Sequence, residues 1–143
     1  MYQFLLNLLK NYSMKRKTKS LPKLKADLQK VFNAYIRARD EGKPCISCGL
    51  MKELQCGHFF AVKGYDGLRF DEENTAGECS SCNCFNESHL IGYSINLKDR
   101  LGLDRFNDLI ERAAEYKRNG YKWSRSELLE LIEIYKEKLK NCC

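Results

Sequence analysis

Three features of the chain predict a small α+β fold organised around a metal rather than a large apolar core. Two Cys-x-x-Cys pairs, Cys45 with Cys48 and Cys79 with Cys82, are separated by 30 residues. Two such turns brought together make the tetrahedral sulfur cage that zinc prefers. Between them the apolar run 54–60, a turn at 64–67 and the segment Leu68-Arg69-Phe70 read as a hairpin. On both sides of this region apolar residues recur every three or four positions, which predicts flanking helices.

The elements follow in order. Ser20 and Pro22 stand where a helix begins, and Leu24, Leu28, Val31, Phe32 and Tyr35 give it one apolar face as far as Asp40. Glu41-Gly42-Lys43-Pro44 stops it. Cys45 to Cys48 then forms a zinc knuckle, with Gly49 relaxing the backbone just beyond. The hairpin carries His58 on its first arm, and a helix is expected from Ser80 onward, placing Asn83 beside it. Leu103, Phe106, Leu109, Ile110 and Ala113 share the face of a further helix that Asn119-Gly120 ends. Ser124-x-x-Glu127 is a capping box, with Trp123 and Leu128 placed as a hydrophobic staple, and Leu128, Leu131, Ile132, Tyr135 and Leu139 line the last helix.

At 143 residues the chain is of single-domain size. The expected division is a basic, flexible arm at 1–20 and one domain at 21–141, with a zinc-binding core at 45–86 and a helical part at 103–141. Residues 10–39 hold ten basic side chains against one acid, a net +9, so the remainder of this +6 chain carries −3. A basic arm on a mildly acidic body points to a polyanionic partner. Residues 1–12 are apolar but too short to span a membrane, and they lack the pattern of a secretory signal. Met14 is a second candidate start. The expected compartment is reducing, where paired thiols mean metal more often than disulfide. Cys56 and Cys84 read as ordinary buried cysteines, His89 as a packing residue and the terminal Cys142-Cys143 as disordered.

Chemistry centres on His58, since an imidazole titrates near neutrality and can take a proton from water. Asn74 precedes the second thiol pair and Asn83 follows it. An amide oxygen suits magnesium or manganese rather than zinc, so Asn83 is the candidate ligand of a second, catalytic ion. Together they would cut phosphodiesters. A thiol oxidoreductase is excluded by pattern, because such enzymes place one Cys-x-x-Cys at a helix start.

His58, Asn74 and Asn83 between the two thiol pairs resemble the HNH (His-Me finger) nuclease motif. The ordered set Phe32-Asn33-Ala34-Tyr35-Ile36-Arg37, Arg39-Asp40, Pro44-Cys45-Ile46-Ser47-Cys48-Gly49, Gly57-His58, Leu68-Arg69-Phe70, Asn74 and Cys79-x-x-Cys82-Asn83 more closely resembles the phage lambda NinG (Rap) recombination proteins. Phage endonuclease VII is similar in its Cys-x-x-Cys-Asn arrangement. The resemblance implies a treble-clef-like ββα-metal core and a structure-specific DNA endonuclease acting on Holliday junctions and D-loops, inside the bacterial cytoplasm. It implies His58 as general base, Asn74 as brace of the histidine loop, and Cys45, Cys48, Cys79 and Cys82 as ligands of a structural zinc. Asn83 would hold a catalytic Mg2+ or Mn2+. Lys15, Arg16, Lys17, Lys19 and Arg69 are the candidate DNA contacts, and a homodimer joined through the last helix would suit symmetric cleavage. One departure stands out: many relatives have an acidic residue directly before the histidine, where this chain has Gly57, which leaves the ion to Asn83 and phosphate oxygens alone or with Asp66, Asp71 or Asn86 as substitutes. A treble-clef module that binds nucleic acid without cutting it is the alternative reading.

Overall fold

The computed structural model describes residues 18–142. Lys15, Arg16, Lys17 and most of the expected basic arm lie outside them. Among the described residues the order is α1 (Leu21–Arg39), β1 (Leu54–His58), a 3-10 turn (Asp66–Leu68), β2 (Thr75–Cys79), α2 (Ser80–Phe85), α3 (His89–Leu101), α4 (Leu103–Asn119) and α5 (Arg125–Cys142). Five α-helices and one two-stranded sheet make a mixed α+β fold. None of these helices is long and apolar enough to cross a membrane.

Ser20 caps α1 by accepting the Lys23 N–H, and Pro22 stands in the first turn, where no N–H is needed. Its buried face, Leu24, Leu28, Phe32, Tyr35 and Ile36, packs on Leu128, Ile132 and Tyr135 of α5. Phe70 closes this core, set edge-on to Phe32 at 5.8 Å between ring centres. The capping box forms: Ser124 Oγ accepts the Glu127 N–H while Glu127 accepts the Ser124 N–H. α5 then continues to Cys142, an exposed helical residue rather than part of a disordered end.

A second core lies between α3, α4 and the knuckle, built from Ile46, Leu68, Ala76, Tyr93, Leu97, Leu109 and Ala113. α3 was not evident in the sequence. It docks on the knuckle through Gly92, where a Cβ would overlap the Ser47 carbonyl oxygen.

The hairpin is paired differently from the expectation. β1 pairs antiparallel with β2, from Leu54 opposite Cys79 to His58 opposite Thr75, and not with Leu68-Arg69-Phe70. That tripeptide leaves the 3-10 turn with Leu68 buried in the second core and Phe70 in the first. Two side chains committed to different cores cannot both serve one face of a flat ladder. Asp40, at the end of α1, joins the layers. Fully buried, it accepts from the Gly77 N–H in β2 and from Arg39, Lys43 and Arg100.

Candidate metal centre and the hairpin it anchors

The knuckle and the start of α2 bring Cys45, Cys48, Cys79 and Cys82 together with their sulfurs within 4.8 Å of one another. Cys48 and Cys79 Sγ lie 3.9 Å apart. A tetrahedron with ~2.3 Å metal–sulfur arms has edges of about 3.8 Å, whereas a disulfide would need about 2 Å. All four cysteines are free thiols, and three are buried.

Without a cation the thiols titrate far apart. Burial raises the Cys45 thiol, yet N–H donors from Cys48, Cys79 and Ser47 outweigh it and bring Cys45 down to about 7. Cys82 is pushed up to about 12 by burial, by its sulfur neighbours and by the Cys45 charge. Four sulfurs this close cannot all ionise unless a dication offsets them. The cluster is therefore able to hold zinc.

Side chains alternate along β1, so Leu54, Cys56 and His58 share one face and Gln55 and Gly57 the other. Cys56 packs against the α1–α5 core, and burial raises its thiol to about 12, which makes it inert. Cys84 is exposed on α2, contrary to the buried position expected from sequence.

His58 Nε2 lies 2.9 Å from the Arg69 carbonyl oxygen. A carbonyl only accepts, so Nε2 carries the proton and Nδ1 the lone pair. Burial lowers the His58 pKa against the opposing effect of that hydrogen bond, and the Arg69 charge lowers it further. The ring is thus a neutral Nδ1 acceptor near pH 7.

Asn74, fully buried, ties the loop between the strands. Its Oδ1 accepts the Phe60 N–H, and its Nδ2 donates to the Phe60 and Leu68 carbonyls. On the other face of the hairpin Asn83 donates to Gln55 Oε1 at 3.0 Å, and its own Oδ1 has no hydrogen bond among the described residues. An uncommitted amide oxygen suits a hard divalent ion.

The candidate cations are partly engaged within the protein. Lys19 is paired with Asp27 at 2.7 Å. Arg69 donates to Gln29 at 2.6 Å, faces Asp66 at 3.6 Å and lies over the Phe70 ring. Of the three substitutes for an acid at position 57, Asp66 is paired with Lys25, Asp71 with Arg112, and Asn86 Oδ1 accepts the Ser88 N–H. Sequence reasoning missed Glu78. Its carboxylate lies over Gly57, where a Cβ would overlap Oε2. The only signal available was an acid one residue before a cysteine ligand.

A groove of about 550 Å³ between α1 and α5 is lined by none of the candidate site residues except Lys19 at its edge.

Comparison with known proteins decides the family. A family model described as "Bacteriophage Lambda NinG protein" matches residues 9–142. The chain belongs to the NinG family. It is 33% identical over 115 residues to Protein ninG of Escherichia phage 933W, covering 79% of this chain and 55% of that relative. Protein ninG of Salmonella phage P22 is 33% identical and that of phage lambda 32%, each over 79% of this chain and 54% of the relative. The chain thus spans about 55% of the length of these NinG relatives. No solved structure matches it.

Proposed function

We propose that this NinG-family chain is a metal-dependent, structure-specific DNA endonuclease of the HNH (His-Me finger) type, similar to phage endonuclease VII and acting on Holliday junctions and D-loops. The observation that carries this reading is His58, a half-buried, neutral imidazole whose tautomer is fixed by the Arg69 carbonyl so that Nδ1 can take a proton. Such a base deprotonates water attacking a phosphodiester. Asn74 holds the loop that follows His58, so the ring keeps its direction as a strand enters. Asn83 offers its Oδ1 to Mg2+ or Mn2+ from the other face of the hairpin, so this reading requires the phosphodiester to lie across the hairpin's edge, where the ion when bound would offset charge on the phosphorus and on the departing 3′ oxygen. Cleavage leaves 5′ phosphate ends.

The cysteine cluster holds structural zinc and sets the hairpin against α2. Lys15, Arg16 and Lys17, with Lys19 and Arg69 freed from their carboxylates, neutralise backbone phosphates, so binding weakens steeply with salt. Symmetric cutting would call for two copies on one junction.

The test is cleavage of a synthetic four-way junction with Mg2+ or Mn2+. The wild type cuts; His58→Ala loses about a hundredfold or more. Because burial depresses the imidazole, the wild-type rate rises with pH through a midpoint below the ordinary value of 6.5. Equal cleavage by the two proteins would refute the role of His58. A wild type that binds the junction but cuts nothing would leave the non-catalytic zinc module, the reading favoured by Gly57 and by the engagement of Asp66 and Asp71 in ion pairs.

A further inference from the structure

The face of the hairpin opposite His58 carries a carboxylate–imidazole pair outside the cysteine cluster. Glu78, in β2, is fully buried. Its Oε1 accepts from the Ser47 hydroxyl and from His89 Nδ1, the latter at 2.6 Å. Its Oε2, buried over Gly57, has no hydrogen-bond partner among the described residues. A carboxylate buried with one oxygen unpartnered is costly, so the retention of Glu78 calls for an explanation beyond packing.

His89 supplies one. A carboxylate only accepts, so the bond to Glu78 fixes the imidazole proton on Nδ1 and leaves the lone pair on Nε2. The ring opens α3, keeps 20% of its side-chain surface exposed, and makes no hydrogen bond through Nε2 among the described residues. A carboxylate behind one ring nitrogen with the other free is the arrangement that metal-ligating histidines adopt. Glu78 stands opposite Gln55 in the ladder, and Gln55 takes the Asn83 amide. Adjacent ladder partners thus bring the His89 nitrogen and the Asn83 oxygen to one face of the hairpin. On that same face the Glu78 carboxylate occupies the space that a side chain at position 57 would fill.

We propose that this face binds a divalent ion through His89 Nε2, with Glu78 as the positioning carboxylate and Asn83 Oδ1 as the neighbouring oxygen donor. The use made of the ion rests on the nuclease reading; the place where it binds does not. An imidazole nitrogen beside an amide oxygen selects Mn2+ over Mg2+.

The probe is Mn2+ added to the zinc-loaded full chain, followed by the loss of its free electron paramagnetic resonance signal. His89→Asn keeps an amide donor for Glu78 and removes Nε2. The wild type takes up one Mn2+, and His89→Asn binds it at least tenfold more weakly with unchanged zinc content and circular dichroism. Equal uptake by both proteins, or none by the wild type, overturns the proposal. Should His89→Asn fail to fold, the wild type still decides, because the chain has only two histidines. Substoichiometric Mn2+ broadens the His89 imidazole resonances far more than those of His58, and the reverse order overturns the site. Junction cleavage separates the two readings. A wild type that cuts no junction with any ion while His89→Asn still weakens Mn2+ uptake sinks the nuclease reading and keeps the ion site. Cleavage with Mn2+ uptake indifferent to His89 does the opposite.

Discussion

Between α1 and α5 nine buried side chains, four of them aromatic, fill one core. Around the metal centre the buried set is Cys45, Cys79 and Cys82, with Leu54 alone packed against them. At ~1.5–3 kcal/mol for each large apolar side chain removed from water, the helical pair has ample reason to stay closed. The hairpin contributes only small side chains to the apolar cores, Ala76 to one and Cys56 to the other. It is held by Asp40 reaching Gly77, by Asn74 across its loop and by the gathering of four sulfurs able to hold a cation. The difference teaches that one chain can use burial where two helices offer broad apolar faces, and buried polar ties beside a candidate metal cluster where two short strands offer few.

The largest expected break in this contrast comes from the metal. Structural zinc contributes ~10 kcal/mol or more to a small site. Cys45→Ser therefore abolishes zinc binding, and amides of 54–58 and 75–79 lose hydrogen-exchange protection while those facing each other in α1 and α5 keep theirs. Protected hairpin amides in zinc-free Cys45→Ser protein would erase the distinction. Next is Phe32→Ala, which leaves a cavity against Phe70 and Tyr135 and costs ~3–5 kcal/mol in denaturant unfolding. Its zinc content stays at one.

Asp40 sharpens the comparison where the two regions meet. Burial opposes its ionisation, but Arg39, Lys43 and the Gly77 N–H outweigh that and hold the carboxyl well below the usual range. A carboxyl depressed on folding contributes stability above its unfolded pKa of ~3.9, and that contribution is lost as pH falls toward the folded value. Wild-type stability thus declines on acidification below about pH 4. Asp40→Asn, about 3 kcal/mol less stable at pH 7, flattens that decline. An unchanged acid limb would show that other groups govern it. The smallest effect belongs to the cap: Ser124→Ala costs ~1 kcal/mol, read as a lower midpoint at constant denaturant slope.

α1, α4 and α5 were legible because each carries its own punctuation: Ser20 and Pro22, Asn119-Gly120, Ser124 and Glu127. The cysteine cluster was legible from spacing alone. β2 was not. Thr-Ala-Gly-Glu-Cys has the composition of a loop and becomes a strand only because β1 lies beside it. Leu68-Arg69-Phe70 looked more like a strand, but its alternation serves two cores rather than two faces of a sheet. α3 was hidden by Gly92, whose missing side chain looks like a helix weakness until the Ser47 carbonyl is found against it. Glu78 and His89 were invisible as a pair, since nothing in one sequence says that residues eleven apart are joined by a hydrogen bond.

Gly92 and His89 are three residues apart on α3, one meeting the Ser47 carbonyl and the other the Glu78 carboxylate. Positions three apart lie on one side of a helix. The first turn of α3 therefore works as a gauge of fixed pitch: a single residue inserted between them would swing one relative to the other by about 100°. Either the imidazole or the glycine would then miss its mark, so this turn admits changes of residue far more readily than changes of length.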